Sequence, residues 1–114
     1  MNIIVCGGRD YADREAVFSA LDKLQARRPI TVVIEGGATG ADALAREWAK
    51  SRQIHCATVP ALWDAFGNGA GPMRNAAMIT LGVGGVVAFP GGRGTEGMKR
   101  IAQDEAITLW EPMA

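Results

Sequence analysis

Five short apolar runs alternate with four helix-patterned segments, and this alternation predicts an α/β sandwich: a mostly parallel five-stranded sheet with helices on both faces. Glycine-rich turns follow the first, second and fourth apolar runs, the usual grammar of strand, phosphate-approaching turn and helix. The chain of 114 residues is read as one domain, 1–114, long enough for a single core. Right-handed sequential crossovers lead to strand order 3-2-1-4-5, a Rossmann-like three-layer sandwich. The first and fourth strands are then neighbours where the winding reverses, and ligands bind there beyond the C-terminal strand ends.

Asn2 to Cys6, rich in β-branched residues, is strand one. Asp13 is placed to cap a helix to about Ala26, with Val17, Ala20, Leu21 and Leu24 forming one apolar stripe. Pro29 stops continuation, and Ile30 to Ile34 is strand two. Thr39-Gly40-Ala41-Asp42 reads as a capping box, followed by Ala41, Leu44, Ala45, Trp48 and Ala49 on one face. Ile54 to Val59 is strand three, and residues 60 to 71 read as a long irregular stretch. Gly71-Pro72 opens a helix to about Leu81. Val86 to Phe89 is strand four, Thr95 caps a helix to about Glu105, and Ala106 to Leu109 is strand five.

Twelve basic and twelve acidic residues leave no net charge, so no global field draws the chain to nucleic acid or to an anionic membrane. Anion binding therefore has to come from local arrangement. No apolar run approaches the roughly 18 residues that span a bilayer, and no charged leader precedes the first strand, so a cytoplasmic protein is expected. Cys6 and Cys56 lie in strands without CxxC spacing and read as two buried, reduced thiols, with no metal site. No cofactor is expected.

The chain lacks GxxxxGK[ST], and GxGxxG is absent after strand one, which removes the main support for ordinary ATPase and dehydrogenase readings. What remains is three turns converging on the switch point. They are Gly7, Gly8 and Arg9; Gly36, Gly37 and Thr39; and Pro90, Gly91, Gly92, Arg93, Gly94 and Thr95. Arg74, with Asn75 beside it, falls in the first turn of its predicted helix, where a cation opposes the helix dipole unless an anion sits nearby. Three arginines on converging loops of a neutral chain favour an anion pocket. Thr95 is both a cap and a hydroxyl for a phosphate oxygen. Glu35 can reach a ribose hydroxyl or satisfy neighbouring backbone amides, and Asp10 and Asp64 are further loop carboxylates. Trp63 and Phe66 either stack on a base or pack against the domain. Met73, Met78 and Met98 read as core filler. The single histidine, His55, lies in strand three, away from the switch point.

These motifs resemble the SLOG superfamily, Rossmann-like domains that include the lonely-guy phosphoribohydrolases and the DNA-processing protein DprA. The YspA/YpsA-related branch is the nearer likeness. It is carried by Gly7-Gly8-Arg9-Asp10, by Glu35-Gly36-Gly37-Ala38-Thr39-Gly40-Ala41-Asp42, by Pro60-Ala61 with Trp63-Asp64, by Ala70-Gly71-Pro72-Met73-Arg74-Asn75, and by Ala88 through Thr95. The resemblance implies a nucleotide-like, phosphate-bearing ligand, of the ADP-ribose or NAD kind. Arg74 matches the arginine that the lonely-guy enzymes use to cleave a nucleotide N-glycosidic bond, but the glutamate of their PGGxGTxxE motif is Met98 here. If the chain is an enzyme of that type, Arg74, Glu35 and Asp42 are the candidate catalytic residues. Single-stranded DNA binding, as in DprA, is a third reading, disfavoured by zero net charge and the lack of a basic, aromatic-lined stripe. A homodimer or higher homo-oligomer is implied by the likeness to lonely-guy domains.

Overall fold

The computed structural model describes residues 1–113. Its sheet is built from β1 (Asn2–Cys6), β2 (Val32–Glu35), β3 (His55–Thr58), β4 (Gly85–Ala88) and β5 (Thr108–Trp110). All four pairings are parallel and the order is β3-β2-β1-β4-β5, as the alternation predicts. Ile4 pairs with Ile34 and Cys6 with Ala88, so the C-terminal ends of β1, β2 and β4 lie side by side.

Helices cover both faces because successive strand residues point opposite ways. Ile3, Val5, Val33 and Val87 face α1 (Arg14–Arg27) and α2 (Ala41–Ser51), packing on Leu21 and Trp48. On the other face Ile4, Ile34 and Val86 meet Met78 of α4 (Ala70–Ile79) and Met98 and Ala102 of α5 (Arg93–Asp104). Asp13 caps α1 as predicted, its Oδ1 accepting from the Ala16 amide at 3.0 Å. Asp22 of α1 straps α2 by accepting from Trp48 Nε1 and from both ends of the Arg52 guanidinium. No helix among the described residues is long and apolar enough to cross a membrane.

Several local expectations are corrected. The stretch after β3 is not wholly irregular: it holds a one-turn helix, α3 (Trp63–Phe66), and a 3-10 turn at Gly67–Gly69. The next helix therefore begins at Ala70, and Arg74 falls in its second turn, beyond the first-turn amides that an anion would share. The capping box does not form. Gly40 is the N-cap of α2, Thr39 donates its hydroxyl to the Arg9 carbonyl at 2.9 Å, and Asp42 turns back onto the preceding loop. Thr95 is not the cap of α5 either, because Gly92 takes that place and Thr95 lies in the first turn. Cys56 and Met73 are exposed rather than buried: Cys56 lies on the edge strand β3, and Met73 points off α4 to solvent.

Both cysteines are free; burial pushes the thiol of Cys6 up to about 12, and in Cys56, exposed as a residue, partial desolvation of the sulfur followed by the Glu35 charge pushes the thiol up to about 11. At pH 7.5 the thiolate is then about one part in a thousand or less of either residue. Iodoacetamide should modify the native protein far more slowly than the urea-unfolded chain, as followed by mass spectrometry. Rapid native labelling of Cys56 would contradict the assigned environment.

Candidate functional site

The loops after β1, β2 and β4 meet at the C-terminal end of the sheet and are tied to one another by backbone hydrogen bonds. Gly8 N–H donates to the Pro90 carbonyl at 2.8 Å, joining the first turn to the PGGRGT turn. The Gly8 carbonyl accepts from the amides of Tyr11 and Ala41, both at 3.1 Å, joining the first turn to the start of α2. A Cβ on Gly91 would collide with Gly8 N at 2.7 Å, with Gly7 C at 2.9 Å and with the Thr95 hydroxyl, so only glycine allows this approach.

The glycine turns look alike in sequence but differ in what they can hold. In the β2 turn three consecutive amides, Gly36 to Ala38, are already taken. Gly36 and Ala38 donate to Asp42 Oδ2 at 3.1 and 3.2 Å, and Gly37 donates to Glu35 Oε1 at 2.9 Å. Two protein carboxylates thus occupy the place a phosphate would take. Glu35 is wholly buried, and it also accepts from Arg46 Nη1 at 2.5 Å and from the Thr58 hydroxyl. Glu35 therefore satisfies neighbouring amides, one of the two roles its position suggested.

At the PGGRGT turn the reverse holds. Among the described residues nothing accepts from the amides of Arg93, Gly94 or Thr95, and no side chain caps α5. A Cβ on Gly92 or Gly94 would meet nothing within 4 Å, so the space over this turn is open. Thr95 is only 5% exposed, and its hydroxyl, which has no hydrogen-bond partner among the described residues, keeps contact with solvent.

Arg74 and Asn75 bridge the two turns. Arg74 Nη1 donates to the Gly36 carbonyl and Nε to Asn75 Oδ1, both at 3.0 Å, while Asn75 Nδ2 donates to the Gly94 carbonyl at 3.2 Å. Asn75 is buried with both ends of its amide in use, so it acts as a strut between the walls. Beside the strut opens a cleft of about 390 Å³, lined by Arg9, Trp63, Arg74, the Gly36–Thr39 segment, Pro60 and Ala61. Two guanidinium groups and no carboxylate line it. Of the predicted aromatics, Trp63 reaches this cleft, whereas Phe66 is exposed on α3 away from its lining. Ala38, Pro60 and Ala61 also line the cleft; in the sequence they belong to the stretches that carry the family likeness and are not among the expected binding residues. Pro60-Ala61 directly follows a strand, and that position was the available signal. Arg93 is exposed at the start of α5, and His55 is exposed on β3. Among the described residues no three His, Cys, Asp or Glu side chains gather as metal ligands.

Burial, above all, raises the carboxyl of Asp42 from its usual 3.8, and the charge of Glu35 adds to this. The Ala38 and Gly36 amides and the Arg74 guanidinium pull the other way. With the folded value above the unfolded one, the native state binds the extra proton. The stability this contributes is complete below 3.8 and is lost as pH rises through the raised value. Asp42→Asn keeps an acceptor oxygen for the two amides and has no charge to desolvate. Its stability relative to the parent should therefore climb as pH rises from about 3.8 to the raised value, then level off. Urea titrations at pH 4 to 7 check this, and a difference independent of pH would contradict it.

A family model described as YAcAr, the YspA, cpYpsA-related SLOG family, matches residues 1–66, more than half of the chain. The chain belongs to the YspA, cpYpsA-related SLOG family. The matched stretch holds the β1 and β2 turns, Pro60, Ala61 and Trp63, and stops short of Arg74 and the PGGRGT turn. A relative spans those as well: the Gene 61 protein of Mycobacterium phage D29 is 38% identical over 115 residues, covering 94% of this chain and 92% of the phage protein. No solved structure matches the chain. Membership in the SLOG family suggests nucleotide-related ligand binding at a coarse level.

Proposed function

We propose that this protein binds a phosphate-bearing, nucleotide-like ligand, of the ADP-ribose or NAD kind, as a binding module and not as a hydrolase. The phosphate sits on the first turn of α5, and the rest of the ligand lies along the adjoining cleft. One observation carries the reading: at Arg93–Thr95 the free amides, the open space over Gly92 and Gly94 and the unpartnered hydroxyl of buried Thr95 converge at a helix N-terminus. Backbone donors and helix dipole there favour an anion. Arg74, which lines the cleft and is tied to the Gly94 carbonyl through Asn75, adds charge on the ligand's path.

Two features favour binding over cleavage. Met98, where the lonely-guy motif places its glutamate, is 1% exposed in the core between Ile4, Met78 and Val86. Glu35 has its carboxylate engaged by Arg46, Thr58 and Gly37. Calorimetry with AMP and ADP-ribose tests the reading. Thr95→Val removes the hydroxyl at nearly constant volume, and Arg74→Ala removes the charge. Each should weaken binding about tenfold or more, the scale of one lost charge-assisted hydrogen bond. Absence of binding, or affinity unchanged from the parent in both variants, would count against the reading, as would release of free base from AMP.

A further inference from the structure

The exposed indole of Trp63 bears on where the ring end of the ligand lies. Trp63 is 47% exposed, yet it is held in position: a Cβ on Gly71 of α4 would lie 3.2 Å from its Cη2, so the indole edge rests on a bare stretch of helix backbone. The side chain lines the 390 Å³ cleft. The guanidinium carbon of Arg9 stands over the ring, 5.9 Å from its centroid. Among the described residues that guanidinium has no hydrogen bond and no ion pair, so the aromatic face is its one partner. A solvent-exposed cation on an indole is weakly held.

We propose that the indole of Trp63 seats the aromatic ring of the ligand, and that the ring takes the place that Arg9 occupies over the indole. The spacing separates displacement from sandwiching. A ring between indole and guanidinium needs about 3.5 Å on each side, roughly 7 Å in all, and 5.9 Å is too little. Arg9 therefore has to move as the ring arrives, and its exposed side chain, unpaired among the described residues, is free to leave. Its side chain is exposed and its loop is joined to the PGGRGT turn through Gly8 and Pro90, so the freed cation remains beside the phosphate end. The inference rests on the phosphate reading above for the orientation of the ligand, but the stacking face can be tested alone.

Three probes separate the parts: ribose 5-phosphate has the phosphate without the ring, adenosine the ring without the phosphate, and AMP both. AMP should bind about tenfold more tightly than ribose 5-phosphate, the scale of one base stacked on an aromatic side chain. In Trp63→Leu the two affinities should converge on that of ribose 5-phosphate. Adenosine should quench the indole emission of the parent, the other two tryptophans being buried or half-buried, and should lose this effect in Trp63→Leu. Arg9→Ala bares the face, so adenosine should bind it at least as well as the parent. Equal binding of AMP and ribose 5-phosphate, or a difference that survives Trp63→Leu, overturns the stacking seat and leaves the phosphate reading standing. Weaker adenosine binding in Arg9→Ala overturns the displacement, because Arg9 would then be clamping the ring. If neither phosphate probe binds, the phosphate reading fails, and adenosine quenching alone decides the seat: its absence overturns it.

Discussion

Gly40→Ala should lower stability by about 3–5 kcal/mol and the melting temperature by about 15 °C or more. The two causes are separable. Gly40 has φ +71° and ψ −128°, the mirror image of extended backbone, which only glycine adopts readily. A Cβ there would also drive into the carbonyls of Gly8 and Arg9, which are backbone and cannot swing aside as a side-chain tip can. Gly82 supplies the control. Its φ is +77°, but a Cβ on it would meet nothing within 4 Å, so Gly82→Ala should cost about 1 kcal/mol of strain alone. Thermal melts of the two variants side by side decide the matter. A similar loss in both would mean that the collision with the β1 turn is not the main term. Because the Ala41 amide bonds the Gly8 carbonyl at this junction, the same substitution should also loosen the first turn from α2.

Glu35→Ala is the second large effect, with an expected loss of about 3 kcal/mol by urea denaturation. The Coulomb part of the Arg46 pair is a minor share of this, since the Arg46 side chain is 44% exposed and returns to water when released. The larger share comes from what stays behind. The Gly37 amide and the Thr58 hydroxyl lose their acceptors, and a side-chain-sized void opens beneath the β2 turn. Glu35→Gln keeps the volume and one acceptor oxygen, so it should cost about half as much. If alanine costs no more than glutamine, the buried carboxylate is not what holds the turn.

Those two sites mark the boundary between what the amino-acid pattern discloses and what it conceals. The strand order follows from the alternation of apolar runs and helical segments, since parallel crossovers have one handedness and the chain is too short for many alternatives. Asp13 as a cap, the convergence of the three turns at the switch point and the burial of Met78 and Met98 were legible for similarly local reasons. The errors fell where a residue has two local roles and a distant partner chooses. Thr39 and Asp42 have the spacing of a capping box, yet Arg9 claims the hydroxyl and the β2 turn claims the carboxylate. Arg74 looked like a first-turn cation because nothing local announced that α3 and a 3-10 turn would move the helix start to Ala70.

By itself the sequence determined the fold class, the family and the clustering of glycine turns at one end of the sheet, because these depend on periodicity and on residue types at fixed spacing. Only the tertiary structure decided which turn keeps its backbone amides free. Glycine content says that backbone can approach a ligand, but whether an amide is free depends on carboxylates six residues away or folded in from a neighbouring element. Asp42 and Glu35 fill the β2 turn, whereas the α5 turn is left open, with Asn75 and Arg74 strung between the two.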